Sequence, residues 1–163
     1  MPDPHRPHPL AAAAAIVFRD RQAMARRMVR HGRIGAQQAE AQMLPWLAIA
    51  CRCGAQLAEL DEPLAELRVT RIYRGRGLPP EAGSRSDAQA RAILADQICP
   101  RERWAPLLAR ARDAAVIAAE TDPARRDDAR RLYDLAQALA PEIPFNPAPP
   151  FLKRGDSPRK DAA

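Results

Sequence analysis

The apolar residues of the chain recur with a period close to that of an α-helix. The first periodic stretch runs from residue 10 to about residue 31 and stops at Gly32, because glycine readily takes the left-handed conformation that ends a helix. At about 100° per residue, the large apolar side chains share one face and three arginines share the opposite face. The predicted apolar face holds Leu10, Val17, Met24 and Met28, and the predicted basic face holds Arg19, Arg26 and Arg30.

A second helix is predicted from about residue 36 to residue 60, after a turn that contains Ile34. Pro45 falls inside it and predicts a kink or a restart near Leu44, since proline lacks the N–H of a helical hydrogen bond. The two helices together predict an αα-hairpin. The apolar stripe expected on the second helix consists of Ala39, Met43, Trp46, Leu47, Ala50 and Leu57.

The middle of the chain carries strong breaking signals. Asp61-Glu62-Pro63 ends the second helix, and residues 74–86 are rich in glycine, proline and serine, as linkers are. Between them, residues 64–73 begin with a helical pattern but continue with residues that favour a strand, such as Val69 and Ile72. A short helix is the preferred interpretation, because no second strand is predicted to pair with it.

The second half of the chain predicts three more helices. One runs from Ser86, a suitable N-cap, to about Ile98, and the next follows Pro100 with Pro106 in its first turn. Thr121-Asp122-Pro123 signals the end of that helix and the start of the last one, which runs to Ala140. The expected apolar positions are Trp104, Leu107, Leu108, Ala111, Ala115 and Ala118 on the longer helix, and Leu132, Leu135, Ala136 and Leu139 on the last.

These patterns predict an all-α fold, either two αα-hairpins or a small irregular helical bundle, with disordered N- and C-terminal tails. The expected segments are a flexible tail (1–9), a helical hairpin (10–62), a short helix and linker (63–86), a helical bundle segment (87–140) and a disordered proline-rich tail (141–163). Alanine accounts for 35 of the 163 residues, whereas Leu, Ile, Val and Phe together account for only 30. We therefore expect closely packed helices around a modest core, which a partner would stabilise further.

The chain is basic, with a net charge of +6, and only Lys153 and Lys160 are lysines. Arginine binds phosphate and carboxylate through a planar fork of N–H donors, so the composition suits nucleic acid or an acidic protein surface. The codon usage of a GC-rich genome also enriches arginine and alanine, and it would explain the same composition without any binding function.

Two arginine-rich segments are the candidate nucleic-acid-binding surfaces. Residues 19–33 contain six arginines and one acid, Asp20; such a cluster suits a phosphate backbone, and a solvated outer face of the hairpin is the alternative. In the second segment, arginines flank an aromatic ring that can stack on bases, and a charged linker is the alternative. The first surface comprises Arg19, Arg26, Arg27, Arg30 and Arg33, and the second comprises Arg68, Arg71, Tyr73, Arg74 and Arg76.

The sequence offers little for catalysis, metal binding or membrane insertion. Cys51 and Cys53 would point about 200° apart on a helix, so we expect buried small side chains and not a metal site. The chain has no glycine-rich phosphate loop and no nucleophile elbow. The apolar run 10–18 is short and is followed at once by charges, unlike a signal peptide or a transmembrane helix. We therefore predict a non-enzymatic, cytoplasmic protein without metal, cofactor or membrane contact, and its oligomeric state stays open.

The first hairpin resembles a known group of proteins. Its Arg-rich first helix, the turn Gly32-Arg33-Ile34 and the later Ala48-Ile49-Ala50 are similar to short helical-hairpin proteins of phage and prophage genomes. The resemblance covers residues 19–60, about a quarter of the chain, and departs at Gly35, where a Ser or Thr cap is usual, and at Pro45. It implies a mobile-element setting and no particular activity, so no site residue is carried over from it.

The predicted function is that of a basic helical accessory protein that binds nucleic acid through an arginine-rich helix face. The alternative is a protein–protein interaction module, such as an inhibitor, an adaptor or an assembly subunit, whose small core is completed by its partner. In that case apolar residues off the main stripes, such as Phe18 and Leu44, would matter more than the arginines.

Overall fold

A computed structural model describes residues 9–55 and 88–145 of the chain. Within these two ranges all the regular structure is helical, which confirms the predicted all-α fold. The elements are α1 (Pro9–Arg30), α2 (Ala36–Arg52), α3 (Ala88–Ile98), α4 (Arg101–Thr121), a short 3₁₀-helix (Pro123–Arg125) and α5 (Arg126–Leu139). None of these helices is both long enough and apolar enough to cross a membrane.

Several predicted features lie outside the described residues. They are the N-terminal tail up to residue 8, the segment 56–87 with Leu57 and the predicted short helix and linker, and the proline-rich tail from residue 146 onward.

The chain divides into two compact units, Met1–Leu107 and Leu108–Ala163. In the first unit α2 packs against both α1 and α3. Two neighbouring helices explain why consecutive residues of α2, from Pro45 to Cys51, are all buried. The boundary between the two units falls after Leu107, and α3 packs against α2 in the first unit.

The buried side of α1 coincides only in part with the face that the sequence predicted, from which Val17 is buried. Ala11, Phe18 and Ala25 are buried, whereas Met24 is 52% exposed and Arg26 is only 2% exposed. The prediction followed the largest apolar side chains. Small alanine side chains let helices approach closely, so the packed side of α1 follows its alanines.

Helix α2 carries the predicted stripe wherever it is described, and it runs without interruption through Pro45. No restart occurs near Leu44. The buried members of the stripe are Ala39, Met43, Trp46, Leu47 and Ala50.

The predicted end of α2 near residue 60 is wrong, because the helix ends at Arg52. Gly54 has a φ angle of +81°, its N–H donates to the Cys51 carbonyl, and the Ala55 N–H donates to the Ala50 carbonyl. This pair of hydrogen bonds is a Schellman motif, which requires a left-handed residue at this position and therefore favours glycine.

The second unit confirms the predicted stop–start signal. The Asp122 side chain accepts a 3.1 Å hydrogen bond from the Ala124 N–H, and Pro123 begins the 3₁₀-helix that leads into α5. Val116 and Ala119 of α4 pack with Ala129 of α5 in a small core. The predicted apolar positions Leu132, Leu135 and Ala136 of α5 are also buried.

Two predictions on this half of the chain are wrong. Helix α4 begins at Arg101, so Pro106 lies inside the helix and not in its first turn. Residues 141–145, predicted to belong to a disordered tail, are folded: Phe145 packs against the small core formed by Val116, Ala119 and Ala129.

Candidate nucleic-acid interface

Four of the five arginines predicted for the first surface are exposed. Arg19, Arg27 and Arg30 lie on α1, and Arg33 lies in the turn that follows. From the helical repeat, the three positions on α1 fall within an arc of about 80°. We call Arg19, Arg27, Arg30 and Arg33 the arginine surface.

The turn after α1 holds Arg33 in place next to the last arginines of the helix. Gly32 has a φ angle of +67°, its N–H donates to the Val29 carbonyl, and the Arg33 N–H donates to the Met28 carbonyl at 2.9 Å. This second Schellman motif closes the C-terminus of α1. The backbone position of Arg33 is therefore fixed relative to α1.

Arg26, the fifth predicted residue, does not belong to the exposed surface. Its side chain is only 2% exposed, although Arg27 beside it is exposed. Gln22, one turn earlier on the same face, is buried to a similar degree. The periodicity misplaced Arg26 because it set all the arginines on one solvated face, whereas the packed face of α1 extends to this position.

Arg21 also has a structural role that the sequence analysis missed. Its guanidinium carbon lies 3.9 Å from the centroid of the Trp46 ring. Trp46 is 7% exposed, so the contact is largely shielded from water, where cation–π attraction is stronger. Arg21 is thus a contact between α1 and α2. No spacing rule links residues 25 positions apart, so only the tertiary structure could identify it.

The excess of positive charge is concentrated in the α1–α2 hairpin. Residues 9–55 contain seven arginines and two acids, a net charge of +5, whereas residues 108–145 contain six arginines and seven acids, a net charge of −1. Asp20 and Glu40 are the two acids of the hairpin, and Asp20 is exposed beside Arg19. The hairpin thus carries most of the positive field of the described residues.

Arginines elsewhere in the first unit stabilise helix ends and a buried ring. The Arg91 Nε of α3 donates a 3.2 Å hydrogen bond to the Arg52 carbonyl, one of the carbonyls that the end of α2 leaves without a helical partner. The guanidinium carbons of Arg52 and Arg101 lie 5.8 Å and 5.6 Å from the centroid of the buried Trp104 ring. These arginines therefore belong to the packing of α2, α3 and α4.

A buried arginine also organises the second unit. Arg112 donates from Nη1 to the Ile143 carbonyl at 2.8 Å and from Nε to the Asp113 carboxylate at 2.8 Å. Its guanidinium carbon lies 5.4 Å from the centroid of the Phe145 ring. Arg112 thereby fixes residues 143–145 against α4.

The cysteines are buried, as predicted. Cys51 lies in the last turn of α2 and Cys53 is its C-cap. Burial raises the pKa of the Cys53 thiol to about 12, although the positive charges of Arg91 and Arg52 act in the opposite direction. Burial also raises the pKa of the Cys99 thiol. Among the described residues, no group of three or more His, Cys, Asp or Glu side chains is arranged to hold a metal ion.

The second predicted surface, formed by Arg68, Arg71, Tyr73, Arg74 and Arg76, lies wholly outside the described residues. The interface that can be built from the structure is therefore the arginine surface alone.

The chain matches no protein-family model, no curated protein and no solved structure.

Proposed function

We propose that this protein is a non-enzymatic accessory protein that binds nucleic acid through the arginine surface. The observation that carries the proposal is the exposure of Arg19, Arg27, Arg30 and Arg33 on a hairpin with a net charge of +5. A phosphate backbone rewards clustered cations, because each neutralised phosphate releases condensed counterions. The proposed phage or prophage setting rests only on the resemblance of residues 19–60.

The direction of α1 introduces one opposing effect. Arg27, Arg30 and Arg33 lie at its C-terminal end, where the helix dipole places about half a negative charge. Three arginine charges exceed this partial charge several-fold. The Schellman motif at Gly32 also engages the Met28 and Val29 carbonyls in hydrogen bonds. The net field at this end therefore favours an anion.

The test is a binding titration with generic nucleic acid at several salt concentrations. If the four arginines each contact one phosphate, the logarithm of the affinity falls with the logarithm of salt with a slope of about −3.6 on duplex DNA. The double variant R19A/R30A removes two of the four charges, and we expect it to reduce the magnitude of the slope by about 1.8. An affinity that does not change with salt would exclude the proposal.

Two further variants distinguish binding by the arginine surface from a general effect of the protein's net charge. R103A/R110A removes the same number of charges from exposed positions outside the hairpin, so its slope should stay close to that of the original protein. D20N removes the exposed acid beside Arg19, and we expect it to strengthen binding. If both double variants weaken binding equally, then only overall charge matters and the arginine surface is not the site.

A protein–protein interaction module is the second candidate function, and exposed isoleucines favour it. Ile93 on α3 is 54% exposed and Ile117 on α4 is 62% exposed. Single exposed apolar residues are common on protein surfaces, so this observation is weaker than the arginine surface. The arginine surface would equally suit an acidic protein. If no nucleic acid binds at low salt, protein partners become the leading candidates.

A further inference from the structure

We infer that the nucleic acid bound by the arginine surface is double-stranded DNA, with α1 lying across its major groove. This inference rests on the proposed function and names the class of its ligand. Two observations carry it: the spacing of the exposed side chains along α1, and the burial of the Phe18 and Trp46 rings.

The exposed side chains on one side of α1 form a charged–neutral–charged pattern. Arg19 lies at one end beside Asp20, Ala23 lies in the middle, and Arg27 and Arg30 lie at the other end, all exposed. Arg19 and Arg30 are eleven positions apart, which corresponds to about 16 Å along the axis and a rotation of only about 20°.

That spacing fits two phosphate backbones on either side of a groove. The major groove of B-form DNA is about 12 Å wide and admits an α-helix. Arginines separated by about 16 Å along α1 reach the backbones on both sides. Ala23 then faces the groove between the two contacts, and its small side chain does not hold the helix away from the backbones. In A-form RNA the major groove is too deep and narrow for such an approach.

The two large aromatic rings of the hairpin, Phe18 and Trp46, do not suit a single strand. Proteins that bind single strands stack the bases on accessible aromatic rings. Phe18 is fully buried, and Trp46 is 7% exposed and is covered on one face by Arg21. Neither the Phe18 ring nor the Trp46 ring is therefore available for stacking.

The experiment compares the full-length protein on a short duplex DNA, a duplex RNA of the same sequence and the single DNA strand, at equal nucleotide concentration and low salt. We expect duplex DNA to bind at least about tenfold more tightly than either of the others, because only it lets both ends of α1 contact phosphates. R19A removes the single arginine at one end of the pattern and should reduce this preference by at least about threefold. R110A should leave the preference unchanged.

Equal or tighter binding of the single strand, or of duplex RNA, would overturn the inference and leave the proposed function standing. In that case Y73A would test whether the segment 68–76 provides the stacking ring. Failure of all three nucleic acids to bind at low salt would overturn the proposed function itself. A preference for duplex DNA that R19A does not change would also overturn the inference, since α1 would not then span the groove.

Discussion

The guanidinium of Arg21 covers the ring of Trp46 at 3.9 Å and joins α1 to α2 inside the hairpin. We expect this cation–π contact to stabilise the protein by about 0.5–2 kcal/mol. A double-mutant cycle of R21A and W46L, followed by chemical denaturation, measures the coupling free energy directly. Additive losses from the two single variants would show that the contact contributes nothing beyond ordinary packing.

The neighbours Arg26 and Arg27 should separate stability from binding. Arg26 is buried, so R26A removes the packing of its long side chain inside the hairpin and should destabilise the fold by about 0.5–3 kcal/mol. Arg27 is exposed, so R27A should change stability by less than about 0.5 kcal/mol. Denaturation curves of the two variants provide the measurement.

Binding of duplex DNA should depend on Arg27 and not on Arg26. R27A removes one charge from the arginine surface and should reduce the magnitude of the salt slope on duplex DNA by about 0.9. R26A, assayed under conditions where it is folded, should keep the slope of the original protein. If R26A also reduced the magnitude of the slope, the Arg26 side chain would have to move out of the hairpin to contact phosphate.

A comparison of the predicted features with the structure shows which of them depend on local sequence alone. Helix type, the stop at Gly32 and the restart at Asp122-Pro123 depend on local chemistry, and the structure agrees with each of them. The stripe of α2 was also predictable, because its buried residues include large side chains such as Met43 and Trp46. Such features require only a periodicity or a conformational preference of one residue.

The packed side of α1 was not predictable in the same way. Its core residues are mostly alanines, which a hydrophobic pattern does not distinguish from exposed alanines, so Met24 was wrongly placed inside and Arg26 outside. Arg112 shows the same limit, because its partners in 143–145 are 31 or more residues away. Tertiary packing determines which arginines are buried in the fold and which stay exposed. The members of the candidate interface therefore follow from the structure and not from the sequence pattern.

Arg112 supports a prediction on the second unit. R112A removes a charged donor from the Ile143 carbonyl and the cation from the Phe145 ring, and should destabilise this unit by about 1.5–3 kcal/mol. R110A on the exposed side of α4 is the matched control and should have little effect. Hydrogen exchange should show lost protection of the Ile143 amide, which donates to the Ala140 carbonyl. Unchanged protection there would mean that other packing holds 141–145.

The Cys53 thiol gives a pH dependence of defined sign. Its pKa is raised from 9.0 to about 12 by burial, so the folded protein keeps the proton at a pH where the unfolded chain has lost it. Stability is therefore unaffected below about pH 9 and falls as the pH rises above it. C53A should remove this component, and comparing denaturation of both proteins from about pH 8 to about pH 10.5 isolates it from other titrations. Parallel curves over this range would show that the thiol is not shielded from water.

The two glycines of the α1–α2 turn should respond in opposite directions. Gly32 has a φ angle of +67° and a Cβ there would meet no atom within 4 Å, so G32A is opposed by backbone strain alone, about 1–2 kcal/mol.

Gly35 is the N-cap of α2 in an extended conformation, with no side-chain hydrogen bond to the helix. A serine hydroxyl at this position can accept from a backbone N–H of the first turn. Since glycine is already a tolerated cap, we expect G35S to stabilise the protein by a few tenths of a kcal/mol. Thermal denaturation of both variants gives the comparison. A stabilising G32A would mean that the Schellman motif does not form in solution, and with it the fixed position of Arg33 beside α1 would be lost.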